Sequence, residues 1–305
     1  MIITEIQKSS GKVDLERTCN MRLFRKITGI ILAAAVVLGV CGCSGAKPGN
    51  VGEVTLKGGD KIAEITIEDF GVIRAKLFPE IAPVGVENFI KLAEKGYYDG
   101  LKIHRVVPDC CIQGGSLNGD GTGGAAAVNK GSFSLETSEN ARNFYGALCY
   151  ANTGDGKNST QFYIVNCKKV QDLSQYDPAK MREQAAIFTE KANAITEDNA
   201  EKAALTAQAT YYTNLATMFE KASPEVIEKY KTTGGYPFWD GGYTVFGQVF
   251  EGLDVIDKIS GVKLTTNNAG QVTRPKTDII ISSVKVYDYV EVTPESSSSS
   301  KKKKG

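Results

Sequence analysis

At 305 residues the chain is long enough for one large domain or two ordinary ones. Its composition is that of an ordinary globular protein, without an excess of proline or a bias toward nucleic-acid binding. The net charge of +1 hides an asymmetry: residues 1–42 hold six basic and three acidic residues, and four lysines end the chain. The body between is mildly acidic, which argues against a polyanion-binding surface and against a nucleic-acid partner.

Residues 1–42 read as an N-terminal extension and a targeting segment. Arg22, Arg25 and Lys26 form a basic stretch, and Ile27–Val40 is an apolar run too short to span a bilayer comfortably. Val40-Cys41-Gly42-Cys43 resembles a bacterial lipobox. That resemblance implies cleavage after Gly42, a palmitate-type lipid on Cys43, and a place at the extracytoplasmic face of the cytoplasmic membrane. Residues 1–20 lack apolar periodicity, so Met21 is the expected start. Residues 43–60 then read as a lipidated tether, with turn-forming Lys47-Pro-Gly-Asn-Val-Gly52 within it.

Ile62–Glu68 and Val72–Phe78 alternate apolar and polar residues around Asp69-Phe-Gly71, which predicts a hairpin of half-buried strands. Pro83 opens a helix whose Val86, Phe89, Ile90 and Ala93 share one face, and Gly96 stops it. Strands are predicted at Lys102–Val107, Gly146–Ala151, Gln161–Asn166, Thr244–Val249 and Ile279–Tyr287, with a short helix near Leu253–Ile259. Residues 169–234 change composition toward Ala, Glu, Lys, Gln and Thr. They predict a helical insert: one helix over 179–194, a turn at Thr196–Asn199, a second helix over 200–222 and a third short one after Ser223-Pro224. Ala204, Ala207, Tyr211, Leu215, Met218 and Phe219 form its apolar stripe, read as hairpin packing rather than a partner-binding face. Residues 291–305, a serine run followed by lysines, read as a disordered tail.

Cys110, Cys111, Cys149 and Cys167 lie beyond the leader, but there is no CxxC, and His104 is the only histidine, so no zinc site is expected. Gly119-Asp-Gly-Thr-Gly-Gly124 formally satisfies GxGxxG. The flanks lack the strand-before, helix-after context that a dinucleotide loop needs.

The most specific signal is one ordered series. It runs from Asn88 through Ile103-His-Arg-Val-Val-Pro108 to Gln113-Gly-Gly115 and Gly121-Thr-Gly-Gly124. Tyr150-Ala-Asn-Thr-Gly154, Asn158-Ser-Thr-Gln-Phe-Tyr-Ile164 and Phe238-Trp-Asp-Gly-Gly-Tyr-Thr-Val-Phe-Gly247 continue it. Together these resemble the cyclophilin family of peptidyl-prolyl cis-trans isomerases over residues 61–168 and 235–290. The resemblance implies a mainly β fold, an eight-stranded antiparallel β-barrel capped by two helices, here carrying an inserted helical hairpin at 169–234. It implies isomerisation of X-Pro bonds without a cofactor, proline-containing peptides and unfolded exported proteins being the partners. Arg105 takes the catalytic position, with His104 and Gln113 beside it. Cys110, Cys111, Gly121, Ala151, Asn152, Thr153, Gln161, Tyr163, Phe238, Trp239 and Tyr243 fall at peptide-binding positions. Here Cys110 and Cys111 replace the family's phenylalanine and methionine, Tyr163 replaces a phenylalanine, and Tyr243 replaces a histidine. The loss of an aromatic wall at Cys110 raises a rival expectation. In it, the pocket only binds proline segments and the insert grips clients or docks an envelope partner.

Overall fold

The computed structural model describes residues 49–152 and 156–291. The leader, Cys43, Thr153 and the Ser/Lys tail lie outside the described residues. The first two strands are β1 (Lys61–Ile67) and β2 (Gly71–Leu77), followed by helix α1 (Pro83–Glu94). Then come β3 (Arg105–Val107), β4 (Cys111–Gly114), β5 (Phe133–Ser134), β6 (Ala147–Asn152) and β7 (Lys157–Val165). The insert contributes α2 (Pro178–Asn193), α3 (Ala200–Glu220) and α4 (Pro224–Thr232). The chain finishes with β8 (Val245–Glu251), α5 (Leu253–Ser260), the hairpin β9 (Leu264–Thr266) and β10 (Val272–Pro275), and β11 (Ile281–Asp288).

Eight strands form one antiparallel path in the order β11-β1-β2-β8-β6-β7-β4-β3, and β5 pairs with β7 at its side. The path curls until its ends meet. Lys102 bridges Ile280, Ile103 N donates to Ile279 O at 2.9 Å, and Ile281 N donates to Leu101 O at 2.8 Å. This is the mainly β architecture that the alternating segments predict, and closure removes most exposed sheet edge.

Alternation along the strands divides the molecule into an inside and a working face. Ala63, Ile65, Ile73, Val106, Ile112, Leu148, Tyr150, Phe162, Ile164 and Phe246 point inward and fill the barrel with Phe89 of α1 and Ile256 of α5. The opposite parity puts Cys111, Cys149, Tyr163, Val165 and Val245 on the outer face, where they form a second apolar cluster with Cys110, Trp239 and Tyr243.

Several elements differ from the expectation, each for a physical reason. Among the predicted strands there is none over Cys111–Gly114. Gln113 lies on β4, paired with both Arg105 and Tyr163, and the chain turns at Gly115, whose φ of 81° suits glycine. The β9–β10 hairpin has no counterpart among the predicted elements, because its residues are mostly exposed and give no period-two signal. The insert forms the three helices expected, the third making it more than a hairpin. Asp177, Asn199 and Ser223 cap them through their side chains, and Pro178 and Pro224 occupy first-turn positions.

The expected tether is not loose from residue 49 onward. Asn50 is fully buried. Its Nδ2 donates to Arg142 O at 2.8 Å and to Gln248 Oε1 at 2.9 Å, and its Oδ1 accepts from Arg142 N at 2.9 Å. Lys229 Nζ of α4 donates to the carbonyls of Asn50 and Gly52.

The insert joins the barrel through a third cluster, in which Leu215, Phe219, Val226 and Tyr230 bury against Phe144 and Leu173. Below it lies an ion pair removed from water, Arg142 Nη1 to Asp240 Oδ2 at 3.3 Å, with both side chains at most 1 % exposed. Asp240 also accepts from Asn143 N at 2.8 Å, Asn143 Nδ2 at 3.0 Å and the Tyr230 hydroxyl at 2.9 Å. Arg142 donates to the carbonyls of Met218 and Glu139. Removing one member of such a pair strands the other charge in the interior. Asp240→Ala is therefore expected to lower unfolding free energy by about 3–5 kcal/mol, read as a fall in the urea midpoint.

Candidate active site

The working face owes its layout to strand register. Arg105 pairs with Gln113, Gln113 with Tyr163, and Tyr163 with Cys149. Four residues far apart in sequence thus form one row across β3, β4, β7 and β6, all pointing out of the barrel. Gln161, two residues before Tyr163 on β7, shares that face.

A polar chain runs along one end of the row. Arg105 Nη1 donates to Gln113 Oε1 at 3.3 Å and lies 3.6 Å from Cys111 Sγ. Gln113 Nε2 donates to Gln161 Oε1 at 3.1 Å, and Gln161 Nε2 donates to Gly121 O at 2.9 Å. The Gly121 loop is itself held by Ser116, whose hydroxyl donates to Thr122 O and accepts from Gly121 N. Among the described residues Arg105 has no carboxylate within ion-pair distance, so its charge is not neutralised by a neighbour.

The other end of the row is aromatic. Tyr163 meets Trp239 edge-on at 5.1 Å and Tyr243 at 5.5 Å, and Trp239 lies 5.6 Å from Tyr243. Asn152 Nδ2 donates to Gly242 O at 3.2 Å and ties β6 to the segment carrying these rings. Ala151 packs half-buried against the same cluster, and Cys110 and Cys111 are buried within it.

Phe238 behaves differently from its expected role. Its ring packs against Tyr176 at 4.9 Å and Phe219 at 6.1 Å, and its carbonyl accepts from the Tyr211 hydroxyl at 2.8 Å. The insert has recruited it, and Trp239 faces Tyr163 instead.

His104 is 8 % exposed, and neither ring nitrogen makes a well-formed hydrogen bond. Burial, and then the Arg105 charge, lower its pKa to about 4. The Lys102 backbone and Asp120 oppose the shift without reversing it. His104 is thus a neutral wall residue at ordinary pH.

Sequence reasoning missed Asn143 and Asp240. Asn143 Oδ1 accepts from the Tyr163 hydroxyl at 2.8 Å and from Cys149 Sγ at 3.4 Å, while Asn143 itself is gripped by Asp240. This buried chain fixes the ring on which the aromatic wall rests and gives the tyrosine hydroxyl a partner that a phenylalanine would not need. The available signal was a lone acid inside the aromatic run Phe238-Trp-Asp240.

A family profile described as "Cyclophilin type peptidyl-prolyl cis-trans isomerase/CLD" matches residues 62–190 and 199–286. A Staphylococcus haemolyticus protein named "Putative peptidyl-prolyl cis-trans isomerase" is 35 % identical over 219 residues, covering 72 % of this chain and 87 % of that one. A Staphylococcus aureus protein of the same name is 34 % identical over 219 residues, 72 % of this chain and 88 % of that one. A solved Cryptosporidium parvum cyclophilin type peptidyl-prolyl cis-trans isomerase aligns with a TM-score of 0.49 at 17 % identity, covering 76 % of this chain and 99 % of that one. The matching profile and relatives are those of peptidyl-prolyl isomerases. The chain belongs to the cyclophilin type of that enzyme family.

The single histidine allows a direct check. Its NMR resonances are expected to stay constant from pH 8 to pH 5.5 and to move only near pH 4. The folded ring binds its proton near 4 and the unfolded ring near 6.5. Its contribution to stability is therefore complete above pH 6.5 and falls as pH drops toward 4, by up to about 3 kcal/mol.

Proposed function

We propose that the chain accelerates cis/trans isomerisation of X-Pro bonds in exported proteins, and that Arg105 does so by stabilising the twisted amide. An X-Pro bond faces a rotation barrier of roughly 18–20 kcal/mol, and no covalent bond needs to break. Twisting localises a lone pair on the proline nitrogen. A site that favours this form over either planar one lowers the barrier. A rigid, permanently charged guanidinium beside an apolar slot meets that requirement.

One observation carries the reading: the Arg105 guanidinium, oriented by Gln113 and not paired with a carboxylate, sits in the same strand row as the Tyr163–Trp239–Tyr243 wall. That wall also bears on the Cys110 replacement. The small thiol stands where the family has an aromatic ring, while the large Trp239 stands where the family has leucine. Apolar contact reduced on one side is supplied from the other. The rival reading, in which the insert grips clients, gains no support from the apolar stripe, because Leu215, Met218 and Phe219 are buried within the protein.

Exchange NMR on an Ala-Pro peptide tests the proposal. The wild-type chain is expected to speed exchange, and Arg105→Ala to lose about 100-fold of that rate. Binding without faster exchange in the wild type would leave a peptide-binding module.

The proposed setting is the outer face of the cytoplasmic membrane, through a lipid on Cys43. It is supported by the basic and apolar leader and the lipobox-like Val40–Cys43. Cys43→Ala is expected to move the protein from the membrane fraction to the soluble one and to abolish labelling by a palmitate analogue.

A further inference from the structure

At the β3 end of the row a cleft of about 110 Å³ opens beside Arg105 and Gln113 and extends away from the aromatic wall toward the β9–β10 hairpin. His104, Arg105 and Asp120 line one side. Asn267, Asn268 and Arg274 of the β9–β10 hairpin line the other. Two features mark it as a place where a ligand group is received. His104 is more than nine-tenths buried, yet neither ring nitrogen makes a well-formed hydrogen bond, the Lys102 backbone being its nearest polar neighbour. Gly121 lies against the His104 ring, at the ordinary contact distance of 3.8 Å from a Cβ position to Nε2, and its φ of 94° suits glycine. Among the described residues, neither Arg105 nor Arg274 has a carboxylate within ion-pair distance, although most arginines here do.

Asp120 is the one acid in the lining. Its Oδ1 accepts from the backbone and hydroxyl of Thr122, which directs that carboxylate into its own loop. Two guanidinium groups against one carboxylate leave the cleft net positive. Asn267 uses its side chain to hold the hairpin turn, accepting from Ala269 N and Gln271 N at 2.9 Å each, so the hairpin presents Arg274 on a fixed support.

We propose that this cleft is a specificity subsite that takes a carboxylate side chain of the substrate peptide, an aspartate or glutamate flanking the X-Pro bond. The inference rests on the isomerase reading of the neighbouring row. Adjacent strands are about 4.8 Å apart. Tyr163 on β7 and Arg105 on β3 are two strands apart, and the hairpin lies beyond β3. The cleft is therefore roughly 10–15 Å from the aromatic wall, which an extended peptide covers in about three to four residues. Arg274 supplies the charge, and His104 forms a neutral wall beside it. Arg274 is a specificity residue and is not needed for the twist itself.

The test compares kcat/KM for Ala-Pro peptides carrying Glu, Gln or Lys three or four positions from the proline, on either side. Exchange NMR at low salt gives the rates, and the fluorescence of Trp239, the sole tryptophan, gives the affinities. On one side of the proline, Glu is expected to exceed Gln by about fivefold, with Lys below Gln. In Arg274→Gln that ratio should fall to near one. In Asp120→Asn, which keeps an acceptor for Thr122, it should rise. Because the readout is a ratio, a general change in activity cancels. Equal rates for Glu, Gln and Lys peptides, or a Glu preference that survives Arg274→Gln, would overturn the subsite while leaving the isomerase intact. If no peptide is isomerised, the isomerase reading fails, and the affinities alone still decide whether the cleft selects acids.

Discussion

The buried Arg142–Asp240 pair is the constraint on which the rest depends. A charge pair removed from water is costly unless most of its remaining hydrogen-bonding groups are occupied, and here Arg142 Nη2 alone of the pair lacks a partner. Here that demand reaches in three directions. Asp240 draws in Tyr230 from α4, Asn143 from the loop before β6, and the guanidinium itself. Arg142 reaches a carbonyl at the end of α3, and its own backbone is clasped by Asn50. Burial pushes the Asp240 carboxyl upward, and the Arg142 charge opposes that rise. The network thus holds barrel, insert and N-terminal strap to one point.

That point lies directly behind the aromatic wall. Asn143 connects the pair to the Tyr163 hydroxyl, and Trp239 precedes Asp240 in the chain. The insert is therefore a support of the site rather than an appendage. Its helices carry their own local order, through side-chain caps and the Arg182–Glu220 ion pair between α2 and α3. Their apolar residues, however, are spent on Phe144, Leu173 and Phe238. Removing residues 172–232 would expose Phe144 and leave Asp240 without Tyr230, so such a truncation would report on folding before it reported on partners.

The elements that could be read in the sequence were those whose burial repeats. β1, β2 and α1 each bury one face, and their periodicity places them within a residue or two. β4 is four residues long and runs into two glycines, so its hydrogen bonds rather than its side chains define it. β9 and β10 bury little beyond Pro275 and leave no pattern. In the site, the family motifs located Arg105, Gln113, Gln161 and Tyr163, but not the row they form. That row depends on which strands become neighbours, a property of the whole sheet. Phe238 shows the converse: its motif position is correct, but its ring follows the apolar surface that the insert offers.

Closure of the barrel has a consequence for how the chain is made. β1 and β11 pair along nearly their whole length, Lys61 opposite Asp288, and Asn50 finds its partners at Arg142 and Gln248. A ribosome releases the N-terminal segments long before those partners exist. Strand β1 gains its β2 neighbour early, but its other edge stays open until almost the last residue of the domain has appeared. Non-local pairings of this kind slow folding and leave an interval in which an unpaired apolar strand can meet another chain. The nascent protein therefore passes through an interval in which β1 is exposed, before β11 closes the barrel.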